Sequence, residues 1–291
     1  MSTHTLPPSL PQAFQIGLKP LDQAGWIDVD DELPVYLAEK NRLLTSDRAA
    51  VFAAEPGTEM AQAELRDHLA AHLCARFPGV YRRDGATMEI AGANHIALDD
   101  NPPLVVAARL LQEDLVLMRK SEAGWRLAAA VLCFPSSWRL ADKFGHLMHE
   151  VHAPVPGFGE GTRNATLIER MFDNLRPETG MIRWNWSLFG DPALHHPEPS
   201  HDVNRFGAQL QNVFFRLERQ TLTKLPMSRD VVFTIRIYID PVDALSRHAE
   251  GKGIAAALAG QLAALDAAQL EYKGLLRDRD RLARKLGEIA A

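Results

Sequence analysis

The sequence predicts an α+β protein built on an antiparallel sheet, and three observations carry that prediction. Leu65, Leu69 and Leu73 recur every four residues within residues 59–77, the spacing that lines up apolar side chains on one face of a helix. Two apolar runs between residues 115 and 134 flank a turn at residues 122–124, the pattern of a β-hairpin. Residues 182–188, 213–221 and 231–239 each alternate two kinds of side chain, as strands do when the two faces of their sheet differ.

Taken in order, residues 1–35 are rich in proline and turn formers and are expected to wrap the surface. The helix over 59–77 ends ahead of Gly79, and a short strand is expected at 87–91 before the turn-rich stretch 94–103. The hairpin (115–119 and 126–134) is ended by Pro135. Helices are expected at 138–151 and 162–175, with the loop 153–161 between them. In the third strand Ile182, Trp184, Trp186 and Leu188 oppose Arg183, Asn185 and Ser187. In the fourth, Val213, Phe215 and Leu217 oppose Phe214, Arg216, Glu218 and Gln220. The fifth sets Phe233, Ile235, Ile237 and Ile239 against Thr234, Arg236 and Tyr238.

Beyond Pro241 the chain turns helical, with an apolar stripe (Leu258, Leu262, Leu265, Leu282, Leu286, Ile289) beside the charged run RDRDRLARK. Such a tail ordinarily packs on its own domain, and a partner-docking helix is the alternative. A hairpin, then helices, then three strands is the connectivity of a PAS domain. The expectation is therefore a PAS-like antiparallel five-stranded sheet with helices inserted between the second and third strands. Residues 1–104 form an N-terminal extension on this core, 105–241 the core, and 242–291 a C-terminal amphipathic helical tail.

Composition narrows the function. Apolar residues are 46% and charged residues 24% of 291, enough to bury a full core. A net charge of −5 lacks the basic face that nucleic acid requires. No apolar run approaches the ~20 residues that span a bilayer. The N-terminal MSTHTLPPSLPQAF has no basic region followed by an apolar one, so a cytoplasmic protein is expected. Cys74 and Cys133 are the two cysteines, far apart and without a C-x-x-C, which excludes a four-thiolate iron–sulfur cluster and a covalently attached haem within the chain. Both read as buried thiols.

Neither G-x-G-x-x-G after a strand, nor a phosphate-binding G-x-x-x-x-G-K-[ST], nor a G-x-S-x-G elbow occurs. Among the histidines, His68 and His72 share a helix face but lack a third ligand, and a solvated face explains them. His195, His196 and His201 lie in a proline-rich loop and make a weak metal candidate. His146, His149 and His152 stand at a helix-to-loop transition between the second and third strands, where an imidazole is either structural or an iron ligand. Glu218, if its face is interior, needs a cationic partner or a proton. Arg216 or Arg219 is the structural answer and a cationic substrate the functional one, with Trp184 and Trp186 either core or an aromatic wall for an ammonium.

Several segments are distinctive in combination: FQIGLKPL, W-x-x-x-D followed by K-N-R-L-L, QEDLVLM, VLCFPSSW, HAPVP, RWNW, RLERQTLTKLP and VVFTIRIYIDP. Together, from about Phe14 to about Pro241, they resemble the haem-dependent oxidative N-demethylase alpha-subunit-like family. The resemblance implies a PAS-like fold holding haem b. It implies NADPH-driven oxidation by O2 of a small secondary amine, dimethylamine being the type substrate. Electrons would come from a partner reductase carrying FMN and a 2Fe–2S cluster, groups this chain's two cysteines and missing nucleotide motifs cannot supply. His152 of HAPVP is then the expected haem-iron ligand, with His149 and His146 as alternatives. Glu218 is the expected catalytic carboxylate holding the protonated amine, between Trp184 and Trp186 as substrate-binding walls. A haem-based gas or redox sensor signalling through the tail, and a non-catalytic small-molecule binding subunit, are the competing functions.

Overall fold

The structure, a computed structural model, describes residues 12–200 and 202–291. The chain opens with a short strand β1 (Lys19–Leu21), helices α1 (Leu33–Ser46) and α2 (Arg48–Val51), strand β2 (Phe52–Ala54) and the long helix α3 (Glu59–Arg76). Strands β3 (Tyr81–Asp84), β4 (Thr87–Ile90) and β5 (Asn94–Ala97) make a small separate sheet, followed by α4 (Pro103–Ala108). The hairpin β6 (Asp114–Ser121) and β7 (Gly124–Val131) leads through α5 (Met148–Val151) and α6 (Arg163–Asn174) to strands β8 (Gly180–Phe189), β9 (Phe214–Lys224) and β10 (Val231–Pro241). Helices α7 (Gly251–Ala264), α8 (Ala267–Tyr272) and α9 (Arg279–Ala290) complete it.

The main sheet runs β1-β8-β9-β10-β6-β7-β2, antiparallel throughout. Among the described residues it has seven strands where five were expected. The five expected strands are its contiguous middle, and β1 and β2 add one to each edge. At three residues each, these edge strands are too short for alternation to mark them in sequence. Of the small sheet only β4 was expected.

A second correction concerns residues 138–151, where a helix was expected. Only the single turn Leu140–Asp142 and the four-residue α5 form there. The backbone instead bonds sideways to β7: Leu127 N–H donates to the His146 carbonyl and Gly145 N–H to that of Leu127. Gly145 sits at φ +78°, which ends helical propagation and is open to glycine without cost.

Sheet register decides which side chains meet, because residues directly opposite one another share a face. Asn185 pairs with Glu218 and Arg183 with Gln220, while Trp184 pairs with Arg219 and Trp186 with Leu217. The face carrying Trp186, Leu217 and Tyr238 is covered by the C-terminal helices, whose Leu258, Leu262, Leu270, Leu282 and Leu286 are all buried against it. The apolar stripe of the tail is thus consumed within its own chain. At ~25 cal/mol per Å2, each such leucine contributes roughly 2 kcal/mol of burial. Among the described residues no helix is long and apolar enough to cross a membrane.

The quoted motifs at the N-terminal end meet in a buried polar layer. Lys40 is fully buried and its ammonium donates to the Ala108 carbonyl (3.2 Å) and to that of Glu113. Asp114 accepts the N–H groups of Cys133 (2.9 Å) and Phe134 (2.7 Å). Arg236 lies over the rings of Tyr36 and Tyr238 and pairs with Asp30 at 2.7 Å. These contacts clamp α1 and residues 26–32 to the sheet. The segment after β7 is thereby set in place on its way to the site.

Candidate functional site

The sheet face opposite the C-terminal helices floors a cavity of about 680 Å3, within the usual range for small-molecule and cofactor sites. Gln220, Leu222, Phe233 and Ile235 line its floor, with Arg183, Asn185 and Glu218 beside them. Its walls come from residues 134–158, from α6 through Ile168 and Phe172, and from Ile16 and Leu18 of the N-terminal segment. Tyr272, the last residue of α8, and Lys273 just after it also reach it. Ser137, in the wall, holds φ +65°, a left-handed conformation that a serine adopts under constraint.

His152 lines this cavity at the C-terminal cap of α5. Its Nδ1 lies 2.9 Å from the Met148 carbonyl oxygen. A carbonyl accepts only, so Nδ1 carries the proton and Nε2 presents its lone pair. Burial pulls the imidazole down to about 4, opposed by the Met148 bond and assisted by the charges of Lys143 and Arg183. The ring is therefore neutral at pH 7. A neutral imidazole with one nitrogen held by a backbone carbonyl is the form in which histidine binds metal. His146 and His149 do not line the cavity, and His146 is half exposed with Glu150 at 3.5 Å.

Glu218 is 7% exposed and also lines the cavity. It has three neutral donors: Ser136 Oγ at 2.5 Å, Gln220 Nε2 at 2.7 Å and Asn185 Nδ2 at 3.3 Å. Neither arginine proposed as its structural partner pairs with it. Arg216, fully buried, gives its guanidinium to the carbonyls of Phe134 (2.8 Å), Leu194 (3.0 Å), Ala193 (3.2 Å) and Pro135 (3.3 Å), and its Nε donates to Ser136 Oγ at 3.0 Å. Arg219 points to the other face and donates to the carbonyls of Trp26 (3.1 Å) and Gly25. The Ser136 hydroxyl, accepting from Arg216, must send its own hydrogen to Glu218. Arg216 thus orients the carboxylate through Ser136.

Trp184 and Trp186 do not line the cavity. Period-2 alternation sends both to the opposite face, where Trp186 is fully buried and donates from Nε1 to Gln261 at 2.9 Å and Trp184 lies against Tyr238. The pair cannot wall a ligand held at Glu218. The aromatic residues that do line the cavity include Phe134, Trp138, Phe158, Phe172 and Phe189.

The other histidines lie apart from this constellation. His68 is exposed, His72 packs edge-on against Trp26 at 5.4 Å, and His195 bonds the Cys133 carbonyl at 2.8 Å; His201 lies outside the described residues. Among the described residues no three His, Cys, Asp or Glu gather as a metal-ligating group. Both cysteines are free thiols; Cys133 is fully buried, with burial pushing it up to about 12, while Cys74 is partly buried.

Sequence reasoning missed Ser136, Lys143, Asn185 and Arg183. The signal for Asn185 and Arg183 was present, since alternation put them on the face of β8 away from the tryptophans. Lys273 had none, because only the tertiary fold brings the end of α8 to the cavity.

Fold and cavity define an α+β protein with a ligand-sized chamber on one sheet face, holding one neutral imidazole and one buried carboxylate. The chain belongs to the family described as haem-dependent oxidative N-demethylase, alpha subunit-like, whose model matches residues 17–283. The match continues past Pro241 through α7 and α8 into α9, so the tail that supplies Tyr272 and Lys273 is part of the family's shared region.

Proposed function

We propose that the cavity holds a non-covalent haem b on His152, and that the protein oxidises a small secondary amine such as dimethylamine with O2. The observation that carries this reading is His152 itself. Its Nδ1–H is taken by Met148, its Nε2 is free of any hydrogen bond to the described residues, and burial keeps it unprotonated. The largely apolar lining suits a macrocycle, and the family's haem dependence supplies the cofactor's identity.

Haem bound there would supply O2 activation and electron transfer, chemistry that belongs to the cofactor. The chain's own residues do the rest. Glu218 orients the amine, an alkylammonium having too little apolar area to be fixed by packing. Ser136, Asn185 and Gln220 hold the carboxylate in one orientation, and Arg216 holds Ser136. The phenylalanines of the wall exclude water around the methyl groups. Electrons would come from a separate NADPH-linked reductase with FMN and a 2Fe–2S cluster, consistent with an alpha-subunit-like chain. The hairpin, inserted helices and following three strands support a PAS-like reading of the core. The tail, buried against its own sheet, offers no free stripe for the signalling that a sensor would need.

The test is the absorption spectrum of the purified protein. A Soret band that acid–acetone extraction removes, and that shifts with dimethylamine, is expected. His152→Ala should lose it or need free imidazole to restore it. Colourless protein from haem-supplemented cells, or a normal spectrum in His152→Ala with loss in His149→Ala, would refute the assignment.

A further inference from the structure

The cavity contains more positive charge than its own carboxylate can balance. Lys143, Arg183 and Lys273 all line it, and among the described residues none has a carboxylate within ion-pairing distance. Lys143 donates to the Val151 carbonyl (3.0 Å) and lies over the Trp138 ring. Lys273 donates to the Trp186 carbonyl (2.6 Å), between the rings of Phe14 and Trp186. Among the described residues Arg183 makes one long bond, to the Gln15 carbonyl at 3.3 Å, and its buried Nε has no partner. Among the described residues Glu218 is the one buried carboxylate in the lining. Asp142, Glu150 and Glu198 are exposed at the rim, and Glu198 is already taken by Arg139 at 2.9 Å.

With Arg139 and Glu198 paired and Asp142 and Glu150 facing solvent at the rim, the interior of the chamber sets three cations against one anion. Such an excess is unfavourable unless a ligand answers it. Burial lowers all three groups, Lys143 and Lys273 to about 8, with the charge of Glu218 the strongest opposing influence in each case. His152 feels both Lys143 and Arg183, so these two cations stand near the imidazole.

We propose that Arg183, flanked by Lys143 and Lys273, is the carboxylate-binding subsite of the cavity, and that it takes the two propionates of the haem. This rests on the haem reading above, since haem b brings two carboxylates on one edge. It also explains how Glu218 can hold an ammonium among cations. Once the propionates answer Arg183 and the lysines, the charge of Glu218 is left for the amine.

The test compares haemin with its dimethyl ester, in which both propionates are neutral. Apo-protein is titrated with each, followed at the Soret band, for the wild type and Arg183→Gln. Wild type should bind haemin at least about tenfold more tightly than the ester, and Arg183→Gln should lose most of that preference while binding the ester as wild type does. The apo variant should melt no lower than wild type, because an unpaired charge has been removed, whereas a structural arginine would lower the melting temperature. A second titration uses glutarate, a plain dicarboxylate, read as a rise in the melting temperature of the apo-protein that Arg183→Gln abolishes. If haemin and ester bind alike, or Arg183→Gln weakens both equally, the subsite is refuted while the haem stands. If neither porphyrin binds but glutarate still stabilises through Arg183, the anion subsite stands and the haem reading fails. If glutarate also has no effect, both fall.

Discussion

Acidification should isolate His152 from every other group in the protein. An unfolded chain's imidazole titrates near 6.5, whereas burial lowers the folded one to about 4. The folded value is depressed, so the associated stability is complete above pH 6.5 and is lost as pH falls towards 4. Over that window the unfolded chain takes up a proton that the folded chain refuses. A displacement from 6.5 to about 4 corresponds to ~3 kcal/mol. Roughly 2 kcal/mol of it is gone between pH 7 and pH 5 by the same linkage, a large share of an ordinary stability of about 5–15 kcal/mol. Urea unfolding of the haem-free protein at pH 7, 6 and 5 would measure it, with His152→Gln as the reference. Glutamine keeps an N–H for the Met148 carbonyl and cannot titrate, so the wild type should lose about 2 kcal/mol more than the variant. Carboxylates and the remaining histidines contribute equally to both and cancel. Parallel pH dependences would show that the imidazole is solvated in the native state, and the reason for expecting a free, unprotonated Nε2 would go with it.

Glu218→Gln should leave haem content intact and weaken the dimethylamine-induced Soret shift by at least tenfold, ~1.4 kcal/mol. Because no arginine pairs with Glu218, loss of its charge should cost only about 1–2 kcal/mol of stability, through weaker bonds from Ser136, Asn185 and Gln220. Unchanged amine affinity in a folded variant removes the residue from the site. Trp186→Phe should do the reverse, leaving the amine shift unaltered while the melting midpoint falls by an amount equivalent to about 1 kcal/mol, as one hydrogen bond to Gln261 is lost while that from the Ala13 N–H remains. A change in amine affinity there would mean that the two sheet faces communicate.

The seven-stranded sheet shows why some elements were legible. Strands β8, β9 and β10 are ten or eleven residues long, long enough for alternation to declare both their existence and their faces. α3 declares itself by its leucine repeat. By contrast β1 and β2 exist because long neighbours offer them free edges, and nothing in three residues encodes that. The segment 138–151 carries helix-compatible residues, yet its hydrogen bonds go sideways to β7, a competition that local sequence cannot express.

The site divides the same way. Sequence by itself determined the α+β class, the two faces of each long strand, the absence of thiolate clusters, and the motif histidine His152. Tertiary structure alone decided which face became the chamber. The tryptophans, apparent candidates by composition, went to the face covered by α7–α9 because burying their large apolar area there is worth more than exposing it to a ligand. The polar face, with Arg183, Asn185 and Glu218, was left to floor the cavity. Whether Glu218 meets Arg216 was likewise unreadable, since both lie on one face of β9. Arg216 turns to four backbone carbonyls and Ser136 because the loops at 134–136 and 193–194 close over it, and loop closure is a property of the folded chain.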